Sequence, residues 1–151
     1  MSTAKFRLAQ ATDIDLLVCY MRTFYAIDDY AFNEGAARAA LEEFIDTRAS
    51  GSIWLIEVDG HPIGYVALTL CYSFEYHGRN AYIDELFIDS AYRGQGIGRQ
   101  TLAFVEGECL ASRVKALHLE VERSNAVGQA LYRKHGFVDH DRYLMTRWLM
   151  D

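Results

Sequence analysis

Apolar residues recur at helical spacing at Ile14, Leu17, Val18 and Met21, behind Asp13, which can cap a first helix. Before it, Phe6–Ala9 reads as a short strand. The aromatic and acidic stretch Tyr25–Tyr30 reads as a loop. Asn33 can cap a second helix running to Arg48, with Ala37, Leu41, Phe44 and Ile45 as its apolar stripe.

The period then changes. Ile53–Val58 and Ile63–Tyr72 read as strands joined by the turn signal Asp59-Gly60, with Pro62 just beyond. Gly78–Asn80 predicts another turn, and Ala81–Ile88 a third strand of this group. A helix to about Ser112 follows, with Leu102, Val105 and Cys109 on one face and Gly98 a turn earlier, small enough for close packing. Ala116–Glu122 predicts a strand, Ser124 a cap for a fourth helix, and Gly136 its left-handed end. From Phe137 the pattern predicts one or two terminal strands, Tyr143–Met150 being the last. Early hairpins and later helical crossovers together predict an α/β (α+β) fold, with a mixed, mostly antiparallel sheet and about four helices.

Composition narrows the class. A chain of 151 residues, 51% hydrophobic and 24% charged, without linker or repeat, predicts a single soluble domain over 1–151. No apolar run approaches the roughly 20 residues of a membrane span, and Met1–Arg7 lacks a signal-peptide core. The net charge of -6 argues against nucleic-acid binding and suits a cationic substrate. Cys19, Cys71 and Cys109, odd in number and widely spaced, predict reduced core thiols in a cytoplasmic protein. The five histidines have no metal-ligand spacing, so no metal is expected.

The candidate chemistry begins at Arg93-Gly94-Gln95-Gly96-Ile97-Gly98, followed by Arg99, at a strand-to-helix junction. Alternating glycines let consecutive backbone N–H groups close on an anion where a helix dipole is positive. A dinucleotide fingerprint needs G-x-G-x-x-G directly after the first strand of a βαβ unit; this spacing is G-x-G-x-G and follows a hairpin. A Walker loop would require Gly-Lys-Ser/Thr.

These residues resemble the GNAT superfamily of acetyl-CoA-dependent N-acetyltransferases. Arg93, Gly96 and Gly98 match its Arg/Gln-x-x-Gly-x-Gly/Ala hallmark, and Tyr82–Ile88 its lead-in strand. Asn125, Ala130-Leu131-Tyr132 and Gly136-Phe137 match its second motif. The resemblance covers Trp54–Phe137 well, and Tyr76–Gly98 leans towards diamine or polyamine acetyltransferases.

The resemblance implies a sheet splayed between the fourth and fifth strands, with acetyl-CoA in the gap. Leu86, Phe87 and Ile88 would then pair with the pantetheine arm, and the amides of Gly94, Gln95, Gly96, Ile97, Gly98 and Arg99, beside Arg93, would hold the pyrophosphate. Asn125 would contact pantetheine. An amine would attack the thioester directly through a tetrahedral oxyanion, for which a backbone N–H near Phe87 or Ile88 would donate. The acceptor must first lose a proton, since an alkylammonium has a pKa of about 10.4. Tyr132 is the implied acid for the thiolate. Three carboxylates compete as base. Glu120 shares a polar strand face with His118 and Glu122; Asp84 and Glu85, being adjacent, point to opposite faces unless a bulge intervenes; a water chain is an equal route. Asp28, Asp29 and Glu34 lie where this family shapes its acceptor site. A homodimer is common in the family, and the apolar terminal strand with Trp148 suits one. The competing functional reading is a non-catalytic acyl-CoA sensor or partner subunit of the same fold.

Overall fold

A computed structural model describes residues 2–150. Its elements are β1 (Ala4–Leu8), α1 (Ile14–Ile27), α2 (Glu34–Asp46), β2 (Gly51–Val58), β3 (His61–Ser73), β4 (Gly78–Ile88), α3 (Ile97–Ala111), β5 (Ala116–Leu119) and α4 (Ala126–Lys134). The five strands lie in the order β1-β2-β3-β4-β5, antiparallel except for the parallel β4–β5 pair. This is the mixed, mostly antiparallel sheet with four helices that the residue pattern predicts.

Strand alternation sorts the core into two layers. On one face, Leu55, Tyr65, Ala67 and Phe87 pack with Leu17, Val18 and Met21 of α1 and Leu41 of α2. On the other, Trp54, Val66, Leu68, Ala81 and Ile83 pack with Leu102, Val105 and Cys109 of α3. Leu17, Leu55 and Val66 are completely buried, and each such side chain contributes about 1.5–3 kcal/mol.

Local signals hold at several joints. Asp59 and Gly60 both have positive φ (51° and 79°), as a tight hairpin turn requires. The Asn33 side chain accepts from Ala36 N–H at 3.0 Å, capping α2. Gly136 takes the left-handed conformation (φ 95°) just past α4.

Other expectations need correction. Tyr25–Ile27 is helix, not loop: α1 continues because Phe24 and Tyr25 dock on the aromatic cluster of Tyr65, Phe87 and Phe32. α2 stops at Asp46, short of Arg48. The β3–β4 turn falls at 74–77, with His77 at φ 63°, and Gly78–Asn80 already belongs to β4. β5 ends at Leu119, so Glu120 and Glu122 lie beyond the strand. Asn125 rather than Ser124 caps α4, accepting from Gly128 N–H at 2.9 Å. Cys19 and Cys71 are exposed, leaving only Cys109 in the core. Burial pushes the Cys109 thiol up to about 11. Finally, no strand forms over 137–150. Its crowded aromatic and aliphatic residues make Tyr143–Met150 a competent strand, but no ladder partner meets it.

Candidate active site

The β4–β5 ladder runs only from Asn80↔Ala116 to Ile83↔Leu119. Beyond it the two strands separate, because β5 ends while β4 continues to Ile88. Glu85–Ile88 of β4 therefore pair only with β3 and present a free edge to the gap. Asp89 N–H donates to Ile63 on β3 at 2.8 Å. Successive residues alternate sides, so Phe87 also turns its N–H to β3, and the N–H groups of Leu86 and Ile88 face the gap. The Phe87 ring is 4% exposed and packs on Tyr20 and Phe24, away from the gap.

A bulge decides where the β4 carboxylates point. Ala67 pairs with Glu85 but Leu68 with Ile83, leaving Asp84 as the extra residue. Ala81 and Ile83 face α3. Past the bulge the parity flips, so Glu85 shares the α1 face with Phe87. There Tyr25 Oη donates to Glu85 Oε2 at 2.5 Å and Tyr65 Oη donates to Oε1 at 2.8 Å. Desolvation raises the Glu85 pKa, the two phenol donors oppose that rise, and neighbouring Asp84 adds to it. Asp84, open to solvent on one side, is also raised by desolvation. The bulge thus brings both carboxylates to one cavity.

That cavity, of about 1110 Å³, lies in the splay. Asp28, Asp84, Glu85, Glu120 and Glu122 line it against one arginine, Arg123. Tyr132 lines it from α4, its phenol pKa raised by desolvation, and Asn125 stands at its edge. Tyr30 donates to Glu122 across the mouth. His118 turns elsewhere: it accepts from Asn80 Nδ2 at 3.2 Å and packs against the rings of Tyr76 and Tyr82 in tilted contacts. Desolvation lowers its pKa. Asp29 lies outside the cavity wall, and Glu34 is engaged by Arg22 at 2.9 Å and Arg38 at 3.3 Å.

The glycine loop forms a second concavity, of about 850 Å³, lined by Gly94, Gln95, Gly96 and Arg99. Gly94 (φ 75°) and Gly96 (φ 81°) need left-handed backbone, and a side chain on Gly94 would meet open space. The loop is braced from within: Arg93 Nε donates to Ile88 O at 2.9 Å, and Ile97 is 1% exposed in the core. Gly98 lets α3 approach α4, since a Cβ there would lie 3.1 Å from Leu131. Free amides at a helix N-terminus and an unpaired strand edge beside them suit two successive parts of acetyl-CoA, its pyrophosphate and its pantetheine amides.

Tyr25, Tyr30 and Tyr65 carry no signal in the sequence as site residues. Their partners lie 60, 92 and 20 positions away.

Comparison with known proteins agrees with this geometry. The sequence matches the Acetyltransferase (GNAT) family over residues 16–137. It is 30% identical over 124 residues to the peptidyl-lysine N-acetyltransferase YjaB of Salmonella typhimurium, covering 81% of this chain and 74% of that one. An integron cassette protein, HFX_CASS3, from a salt-marsh metagenome superposes with a TM-score of 0.84 at 31% identity, covering 97% and 91%. A Clostridium acetobutylicum protein solved with acetyl-CoA, described as a predicted acetyltransferase, superposes with a TM-score of 0.81 at 20% identity, covering 96% of each chain. A free β4 edge, an open glycine loop and a match over most of the chain converge: this protein belongs to the GNAT acetyltransferase family and is an acyltransferase that uses acetyl-CoA.

Proposed function

We propose that the chain acetylates a primary amine on a cationic acceptor, a polyamine-like small molecule or a basic peptide, by direct attack within a ternary complex. The observation that carries this reading is the convergence of five carboxylates and Tyr132 on one cavity at the splayed edge of β4. Such a surface favours a molecule with more than one positive charge: one amine reacts while another is held by carboxylate.

Acetyl-CoA supplies the activated thioester when bound. Glu85 is the base that takes the ammonium proton. Two phenols fix its orientation, and its raised pKa brings it closer to neutrality, where a base works best. Asp28, Asp84, Glu120 and Glu122 hold and orient the acceptor, while Asp29 and Glu34 have no part in this reading. Ile88 N–H holds the pantetheine arm, and Leu86 N–H, farther from the glycine loop and beside Glu85, is the donor for the developing oxyanion. Tyr132, kept protonated by desolvation, delivers a proton to the departing sulfur. Residues Arg93 to Arg99 hold the pyrophosphate. A cytoplasmic setting belongs to the same reading, supported by three free cysteines.

Incubating the protein with acetyl-CoA and single acceptors, with release of CoA thiol as readout, tests it. Turnover is expected with polyamines or lysine-rich peptides and not with monoamines of similar size that carry no second positive charge. Turnover indifferent to acceptor charge contradicts it.

A further inference from the structure

The glycine loop is held from outside as well as from within. Three side-chain hydrogen bonds tie it and the start of α3 to residues 2–4, which lie 93 to 98 positions earlier in the chain. Gln100, in the first turn of α3, turns its side-chain amide to the outer edge of β1. Its Oε1 accepts from Ala4 N–H at 2.8 Å, and its Nε2 donates to Ser2 O at 2.8 Å. An amide that accepts from one residue and donates to the carbonyl two positions before it does what a neighbouring strand would do. β1 therefore has a partner on each edge at this end: β2, through the Ala4↔Val58 register, and the Gln100 side chain. One helical turn on, Phe104 stacks on Phe6 of β1 with ring centroids 4.2 Å apart. Gln100 and Phe104 share a face of α3, and the two contacts fix the register of helix against strand.

Ser2 carries this clasp into the loop itself. Its Oγ donates to Gln95 Oε1 at 2.7 Å, while Gln95 Nε2 donates to Ala91 O at 3.3 Å. Gln95 lies between Gly94 and Gly96, the two loop residues with left-handed backbone. Flanking glycines leave that stretch free to reshape, and the Gln95 side chain, held at both polar ends, removes the freedom. Ser2 and Thr3 also line the concavity of the loop.

We infer that Gln100 and Ser2 are positioning residues for acetyl-CoA. With β1 as anchor, they hold the backbone N–H groups of 94–97 in the arrangement that receives the pyrophosphate, and so lower the ordering cost of binding. They act through Gln95 and the first turn of α3. The inference rests on the reading of Gly94 to Arg99 as the pyrophosphate site.

Titration calorimetry of CoA into the full chain, paired with steady-state kinetics, tests it. Gln100→Leu keeps side-chain bulk and removes both bonds to residues 2–4; Ser2→Ala removes only the bond to Gln95. The CoA Kd is expected to rise about fivefold in Q100L and about twofold in S2A, the scale of one or two hydrogen bonds lost. KM for acetyl-CoA should rise in step, with kcat and KM for the amine unchanged. Ser2→Thr keeps the hydroxyl and is expected to bind CoA as the wild type does. Variants that melt at lower temperature but bind CoA with the wild-type Kd would make the clasp structural only and overturn the inference. So would a Kd raised equally in S2A and Ser2→Thr. Gly96→Ala is the control for the loop. If it leaves the CoA Kd unchanged, the pyrophosphate reading falls and the inference with it. If it raises the Kd while Q100L and S2A do not, only the inference falls.

Discussion

The two concavities beside β4 are built in opposite ways. The glycine loop is one continuous stretch, Arg93 to Arg99, whose shape follows from two left-handed glycines and the Arg93 brace to Ile88. The acidic cavity is assembled from α1 and the loop after it, β4, the end of β5, the segment before α4, α4 itself, and Trp148 of the segment after α4. Its central carboxylate is held by phenols 20 and 60 residues away. A contiguous site binds a part that every substrate pair shares. A dispersed one can be retuned one element at a time, as acceptor recognition requires.

Chemistry and binding are expected to separate along that division. Glu85→Gln removes the base while keeping a side chain that both tyrosines can still bond. We expect kcat to fall by about 100-fold with KM for acetyl-CoA little changed. Stability moves differently. A carboxyl whose folded pKa is raised contributes stability below its ordinary pKa and loses it as pH rises through the raised value. E85Q should therefore melt no lower than wild type at neutral pH, which differential scanning calorimetry checks.

The same division explains what was legible in the sequence. The loop, the Asp59-Gly60 turn, the α2 cap and the amphipathic helices are written in neighbouring residues, so period and turn chemistry locate them. The bulge at Asp84 is not, because it arises from the register of β4 against β3, and nothing within Tyr82–Ile88 marks it. Without it Glu85 would face α3 and the Tyr25–Tyr65 clamp could not form. β5 reads too long because apolar alternation continues past the point where its partner diverges. The 137–150 stretch reads as strand because aromatic and aliphatic residues crowd Tyr143–Met150, which records competence to pair and not the presence of a partner strand.

The next effect strikes the other concavity. Gly96→Ala forces a Cβ into left-handed backbone (φ 81°), costing about 1–2 kcal/mol, on the order of tenfold. We expect that loss in KM for acetyl-CoA, with KM for the amine held, in steady-state kinetics. If instead amine KM rises in step, the two concavities are not separate binding units.

Tyr25→Phe sharpens the comparison from the acidic side. The phenol's bond lowers the Glu85 pKa, so removing it lets the pKa climb further. The base is active when deprotonated, and the acid limb of kcat should move to higher pH while acetyl-CoA binding is untouched. A pH profile superimposable on wild type would leave Tyr25 a packing residue only.

The smallest effect expected is that of salt. Four of the five cavity carboxylates are proposed to attract the acceptor, so raising ionic strength should increase KM for a polycationic amine more than for a singly charged one of similar length. Equal responses would mean the acidic wall does not select charge.

The account rests on Glu85, turned into the cleft by the Asp84 bulge, as the group that deprotonates the amine. The pH dependence of kcat, measured for wild type and E85Q with one polyamine acceptor, tests this most directly. We predict an acid limb in the wild type, lying above the usual carboxylate range, that is absent from a uniformly slow E85Q enzyme. An E85Q enzyme retaining both the wild-type rate and the wild-type limb would contradict it.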